Sequence, residues 1–375
     1  MSAIMQVLPS LISGGVERGT IEIAKFLVEN GYESIVLSEG GGMSLELEKF
    51  SAKHIELDVQ SKNPINIILN IKRIADILQQ YKVDILHTRS RAPAWSCYYA
   101  AKRTSQVRFV TTVHGVYNFN NLVKKMYNSI MTKGDRIIAV SNFVKEYLLQ
   151  NYAVEEERIR VIPRGVDNEY YDLAKIDPVK QAKFRKKYNV PSGMPVILLP
   201  GRFTSWKGQM LLAQAINKIR NLDFYCIMIG DLAKHPAYVE QVRDYISDAK
   251  LQFKVQIFGS ESDMFNLYGI SDIVLSTSIQ PEAFGRVIIE AQSMQKLVIA
   301  SDIGGAKETI QNEKNGFHFE HSNFHDLANA ISHALNVLGT KTHEDMGNYA
   351  RDFVYKNYSL KNMQQKTLEV YKELL

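Results

Sequence analysis

The chemistry this sequence offers lies in two carboxylates and two cations. Glu282 and Glu290 stand eight residues apart in Pro281-Glu282-Ala283-Phe284-Gly285-Arg286-Val287-Ile288-Ile289-Glu290-Ala291. On one continuous helix they would be about 80° apart around the axis and about 12 Å apart along it. That is wider than the ~5 Å carboxyl pair of a retaining glycosidase. The spacing therefore suits contacts to two parts of one long ligand rather than a nucleophile beside an acid. A helix carrying two solvated glutamates has the same spacing, and the motif alone does not separate the two readings. Arg202 and Lys207 fall in one short segment, Gly201-Arg202 followed by Lys207-Gly208. Two such cations clamp a diphosphate, arginine by its planar fork and lysine as a point charge.

These residues need elements to hold them. Asp272 to Ser278 is an apolar, β-branched run, and Val287, Ile288, Ala291 and Met294 recur at helical spacing, so Glu282 falls at a strand-to-helix junction. Open α/β sheets place ligands at the carboxyl ends of their strands. Val196 to Pro200, Phe224 to Ile229, Val255 to Phe258 and Leu297 to Ala300 read as the neighbouring strands. Their ends bring Arg202, Gly230-Asp231, Gly259 and Asp302 (before Gly304-Gly305 and Glu308) to the same edge. Each glycine taken singly is equally a sharp turn, and the Asp302 loop is equally a structural turn with an N-cap; the coincidence of Arg202, Lys207, Gly230, Gly259 and Glu282-to-Glu290 at successive strand ends favours a ligand site.

The first half repeats the design. Ala3 to Pro9, Ser34 to Ser38, His54 to Val59, Val83 to Thr88, Phe109 to Val113 and Arg136 to Ser141 read as strands. A helix follows from Val16, striped by Ile21, Ile23, Ala24, Leu27 and Val28; another carries Ile67, Leu69, Ile71, Ile74, Ile77 and Leu78. Alternation of this kind predicts βαβ units and a mainly parallel sheet. Ser13-Gly14-Gly15 feeds the first helix, where unpaired N–H groups and the positive dipole end suit phosphate, although the spacing is not GxGxxG. His114 ends Val110 to Val113 and is either a hydrogen-bonded loop residue or a site group. Pro163-Arg164-Gly165-Val166 punctuates a domain exit, residues 168–190 are polar, and Leu360 to Leu375 reads as an amphipathic helix able to pack on either half.

Composition sets the bounds. A chain of 375 residues, 45% hydrophobic and 23% charged, is an ordinary globular protein of about two domains. Its two cysteines, Cys97 and Cys226, lack metal spacing and imply a reducing compartment. No cationic leader with an apolar core is read before the first strand and no apolar run spans a bilayer, so the expectation is a cytoplasmic protein that is not integral to a membrane. Net charge is +5, but from Lys82 to Lys145 eleven basic residues face two acidic ones, Asp84 and Asp135, a local net of +9. Such a block is either a solvated face or an attraction for an acidic acceptor or for anionic headgroups at the inner face of a membrane. Within it, Asn118 to Lys133 mixes Phe119, Leu122, Val123, Met126, Tyr127, Ile130 and Met131 with Lys124, Lys125 and Lys133, the mixture of an interfacial helix or of a helix packed on its own domain.

With Glu282 and Glu290 at Glu-x7-Glu spacing, Gly201-Arg202 and Lys207-Gly208, and Ser13-Gly14-Gly15-Val16-Glu17 near the start, the sequence resembles the retaining glycosyltransferases of family 4 over nearly its whole length. The resemblance implies an α/β protein of GT-B fold, two facing Rossmann-like domains with a cleft between them. Residues 1–168, joined by the returning helix 360–375, form the acceptor domain, and 169–359 form the nucleotide-sugar domain. It implies further that Arg202 and Lys207 bind the donor diphosphate, that Glu290 takes the ribose, and that Glu282, with the backbone of Phe284 and Gly285, orients the sugar. It implies too that Gly15 backs the phosphate and that His114 contacts the sugar near the reaction centre; Gly230, Asp231 and Gly259 at their strand ends, and Gly14 in the first turn, are expected from their positions to approach the donor. Two departures stand out: Arg164 where the pattern has asparagine, and Leu232 where it has the second glycine of Gly-Asp-Gly.

The resulting expectation is a metal-independent retaining hexosyltransferase. It needs no cofactor beyond its nucleotide-diphosphate sugar, does not bind nucleic acid, and takes a glycan or lipid-linked acceptor of the cell envelope, lipopolysaccharide or related. A sugar-nucleotide epimerase of the same fold, or a non-catalytic sugar-nucleotide-binding protein, are the alternatives; the first wants more carboxylates or histidines around the sugar, and the second has no use for all four charged residues.

Overall fold

The structure, a computed structural model, describes residues 2–12, 14–61 and 63–375. Ser13 of the Ser13-Gly14-Gly15 turn lies outside the described residues. The chain divides into two compact units: residues up to Arg164 together with Lys361–Leu375, and Gly165–Leu360. Each is a parallel sheet with helices on both faces.

The first sheet holds β1 (Ala3–Val7), β2 (Glu33–Ser38), β3 (Lys53–Glu56), β4 (Val83–Thr88), β5 (Arg108–Val113), β6 (Arg136–Ala139) and β7 (Ile159–Val161), in the order β3-β2-β1-β4-β5-β6-β7. Pairing is parallel throughout, for example Met5 beside Ile35 and Leu86. Strands buried on both faces need continuous apolar runs, and side chains alternate between the faces. Met5, Val7, Ile35 and Leu37 pack under the helices Pro64–Gln80 and Arg91–Arg103, while Val36 meets Ile21 and Ala24 of the helix Gly15–Glu29 on the other side. The helix Pro64–Gln80 starts cleanly because Asn63 accepts the Ile65 N–H at 2.9 Å and Pro64 supplies the first-turn φ. Leu69 does not join its buried stripe; it is 49% exposed, since two residues from Ile71 is about 200° around a helix.

The second sheet holds β8 (Val196–Pro200), β9 (Tyr225–Ile229), β10 (Val255–Phe258), β11 (Ile273–Ser276), β12 (Leu297–Ser301) and β13 (Phe317–Phe319), ordered β10-β9-β8-β11-β12-β13 and again parallel. Ile197 and Leu199 enter one core with Cys226 and Met228; Val196 and Leu198 enter the other with Ile227 and Ile288. Cys97 and Cys226 are both free and buried.

Several sequence expectations change at their edges. The strand read as His54 to Val59 stops at Glu56, and the one read as Arg136 to Ser141 stops at Ala139 because Ser141 caps the next helix, accepting from Val144 N at 3.1 Å. The apolar run to Ser278 leaves the sheet after Ser276. β7 and β13 are further strands at the sheet edges. The final helix, Leu360–Lys372, packs on the first unit: Tyr371 OH lies 2.6 Å from His87 Nδ1, and Glu373 pairs with Arg136 at 2.6 Å and Arg160 at 2.7 Å.

Candidate active site

In the second sheet the strand order reverses between β8 and β11, the switch point at which open α/β sheets form a crevice. The loops that leave these two strands carry Lys207 and Glu282. Lys207 Nζ lies 2.7 Å from Glu282 Oε1. The same carboxylate accepts from Ser278 Oγ and, at 3.4 Å, from Ser276 Oγ. Burial by itself would raise the Glu282 pKa; Lys207 and the two serines outweigh it and hold the group below the ordinary carboxylate value. Glu282 is therefore ionised near pH 7, with its oxygens accepting from Lys207 and the two serines. A cavity of about 20 Å³ opens beside the pair, bounded by Pro200, Ser276 and Gly285.

The local sequence explains the placement. Gly208 takes φ +77°, which lets the chain turn into the helix Gln209–Lys218. A Cβ there would sit 2.0 Å from the Thr277 carbonyl, and Thr277 Oγ1 bonds back to the Lys207 carbonyl at 2.9 Å. The lysine loop is thus stitched to the end of β11. On the other side, Gly305 N donates to the Glu282 carbonyl at 2.7 Å, and a Cβ on Gly304 would lie 2.6 Å from that oxygen. The Asp302-to-Glu308 loop accordingly supports the glutamate loop, with Asp302 paired to Lys307 at 3.0 Å.

The other sequence-selected residues fall as follows. Arg202 is exposed, its guanidinium 5.7 Å from the Trp206 ring; Lys207 Nζ lies 4.7 Å from the same ring. Glu282 is not helical: the helix begins at Arg286 after Gly285, so only Glu290 is on it. Glu290 is buried, with Arg286 Nε 2.8 Å from Oε1 and Tyr268 OH donating to Oε2 at 2.9 Å. Phe284 is buried edge-on to Tyr358, so its backbone is what it can offer a ligand. Gly230 packs against the Gly201 carbonyl, whereas a side chain at Gly259 would meet open space. Asp231 Oδ1 accepts from Ala233 N and Lys234 N at 2.9 and 3.3 Å, a turn-closing role.

Gly14, Gly15 and His114 belong to the first unit. Gly14 caps the helix Gly15–Glu29 with φ 136° and accepts from Arg18 N at 3.1 Å. His114 follows β5, and its Nε2 is buried without a hydrogen-bond partner among the described residues. Burial, then the charges of Arg164 and Arg89, push its pKa well below the usual histidine value, so the ring is neutral near pH 7.

Trp206, Ser276, Ser278, Tyr268 and Arg286 were not singled out from sequence. Only Arg286 had a local signal there, standing four residues before Glu290.

The basic block is not a single face. Arg89 is buried, Arg136 pairs with Glu373, and Lys145 pairs with Glu156 at 2.6 Å. Lys124 and Lys133 stay exposed. The stretch 118–133 contains a seven-residue helix, Leu122–Asn128, followed by a 3-10 turn. Ile130 and Met131 are buried, but Leu122 is 82%, Val123 71% and Met126 62% exposed. The helix is tied down through Tyr127, whose ring stacks on Trp95 and whose carbonyl accepts from Trp95 Nε1 at 3.2 Å. No described helix is long and apolar enough to cross a membrane.

Comparison with known proteins gives a consistent result. Residues 13–170 match Glycosyltransferase Family 4, and residues 180–353 match Glycosyl transferases group 1. The crystal structure of a glycosyltransferase from Rickettsia africae ESF-5 is 53% identical, covers 100% of this chain and 98% of its own, and superposes with a TM-score of 0.93. The phosphatidylinositol N-acetylglucosaminyltransferase GPI3 subunit of Saccharomyces cerevisiae is 26% identical over 96% of this chain and 79% of its own length. Anabaena Alr3699/HepE, solved with UDP-glucose, is 22% identical with a TM-score of 0.86 over 100% of both chains, a likeness of fold.

Proposed function

The chain belongs to the family 4 glycosyltransferases of GT-B fold, and from that premise we propose that it is a retaining, metal-independent hexosyltransferase using a nucleotide-diphosphate sugar. The observation that carries this reading is the Lys207–Glu282 pair at the β8/β11 switch point. Lys207, with Arg202, stabilises the charge that develops on the departing diphosphate. Glu282 orients the sugar, Glu290 holds the ribose, and the backbone at Phe284 and Gly285 completes the donor contacts, joined by Gly230, Asp231 and Gly259. Gly15 and His114 keep the phosphate and sugar roles that the family resemblance implies, and Gly14 approaches the donor from the same turn as Gly15. The acceptor oxygen attacks the face from which the diphosphate leaves, the anomeric carbon–oxygen bond to phosphate breaks, and a diphosphate oxygen takes the acceptor proton. A pair of charged, hydrogen-bonded carboxylates at nucleophile distance is not needed for this course.

The exposed Leu122, Val123 and Met126 beside Lys124 support an acceptor that is lipid-linked and met at an anionic membrane surface, as in envelope glycan synthesis of the lipopolysaccharide kind. The two free buried cysteines suit a cytoplasmic location.

A panel of nucleotide sugars tests the reading. One of them is expected to raise the thermal midpoint and to be transferred with its anomeric configuration kept, at a rate unchanged by a chelator. Product of inverted configuration, or no stabilisation and no transfer with any donor, would overturn it.

A further inference from the structure

Position 164 departs from the family pattern, and the structure gives the arginine there a place of its own. Arg164 follows β7, yet its side chain turns inward and is 7% exposed. Its Nη2 donates to the carbonyl of Gly15, the first residue of the helix Gly15–Glu29. The same guanidinium occupies the space above Gly19, where a Cβ would lie 2.1 Å from Nη2 and 2.7 Å from Nη1. Its charge acts on Glu17, in the first turn of that helix, and on His114.

A buried guanidinium is costly unless its donors are used. Here one is used at a peptide whose orientation matters. The peptide unit is planar and trans, so the Gly15 carbonyl and the Val16 N–H point in opposite directions within one plane. Holding the carbonyl down toward Arg164 holds the Val16 N–H out of the helix start, where the first-turn N–H groups have no helical partner. Gly15 brings no side chain to brace the helix start, and the arginine adds a second hold on a carbonyl that the first helical turn already orients.

We propose that Arg164 is a positioning residue, which fixes the Gly15–Val16 peptide so that its N–H faces an anionic group of the substrate. The inference rests on the reading of the Gly14–Gly15 turn as a phosphate contact. Gly19 belongs to the same device, as the only residue type that leaves room for the guanidinium.

The test uses Arg164→Ala, Arg164→Lys and Gly19→Ala in the full chain. Gly19→Ala keeps the charge but displaces the guanidinium, and it serves if Arg164→Ala does not fold. Amide hydrogen exchange is followed in the peptide from Ile12 to Glu22, and kinetics with the donor chosen from the panel. Faster exchange in that peptide is expected for Arg164→Ala and Gly19→Ala. With it, kcat/KM should fall by about 10- to 100-fold, the scale of a misplaced contact, and Arg164→Lys should restore part of it. Wild-type exchange, or faster exchange with wild-type kcat/KM, would overturn the proposal, leaving Arg164 a packing residue. A wild-type chain inactive with every nucleotide sugar would instead overturn the transferase reading and the substrate role with it.

Discussion

Lys207 and Glu282 form an ion pair of 2.7 Å that joins the loop after β8 to the loop after β11. Each charge is mostly shielded from water, at 18% and 15% side-chain exposure, so each depends on the other for compensation. The pair presents a cation and an acceptor side by side, which suits a ligand that carries both phosphate and sugar hydroxyls.

Lys207→Ala and Arg202→Ala are each expected to lower transfer by about 10²–10³, the usual loss on removing one group that stabilises developing charge. Near-normal turnover of both variants at saturating donor would remove the diphosphate clamp from the mechanism.

Glu290→Gln should raise the donor KM more than it lowers kcat, because ribose contacts are shared by ground and transition states. The change also weakens the hold of Arg286 and Tyr268 on that side chain. Glu282→Gln should do the reverse and act mainly on kcat. Steady-state kinetics giving the opposite order would mean that the two glutamates exchange roles.

Acid should loosen the second unit through Glu261. Burial alone would raise its pKa, but Lys187, the Asp263 N–H and the Tyr188 hydroxyl outweigh that and bring it from 4.5 to about 2. Because the folded value is depressed, the contribution is present above about pH 4.5 and is lost as pH falls toward 2. Glu261→Gln should be less stable than wild type at pH 7 and show a flatter loss of stability over that window in urea titrations. Parallel curves for the two proteins would refute the assignment.

Sedimentation with vesicles of anionic lipid tests the acceptor side. Binding is expected at low salt and should weaken as salt rises, each well-placed lysine adding about 1 kcal/mol. It should be lost when Leu122, Val123 and Met126 are changed to serine, and reduced when Lys124, Lys125 and Lys133 are changed to glutamate. Failure to co-sediment at low salt would favour a soluble acceptor.

The local pattern of the chain determined most of what ends each strand. Val83 to Thr88, Val196 to Pro200 and Val255 to Phe258 are strands to the residue, since apolar runs bounded by turn residues are a local signal. With them came the placement of Arg202, Lys207, Glu282 and His114 at carboxyl edges. β7 and β13 escaped because Ile159-Arg160-Val161 and Phe317-His318-Phe319 are too short to show a period. They are strands because β6 and β12 offer them an open edge. What only the tertiary structure decided is which ends meet. Strand order in a parallel sheet follows from crossovers, not from nearness along the chain, so β8 lies beside β11 and Lys207 finds Glu282. For the same reason Tyr268 reaches Glu290 from a separate helix, and Arg164, 149 residues along the chain, returns to the Gly15 carbonyl. Residue types and strand ends are properties of short windows of sequence; charge pairing across a sheet edge depends on the packing of the whole unit.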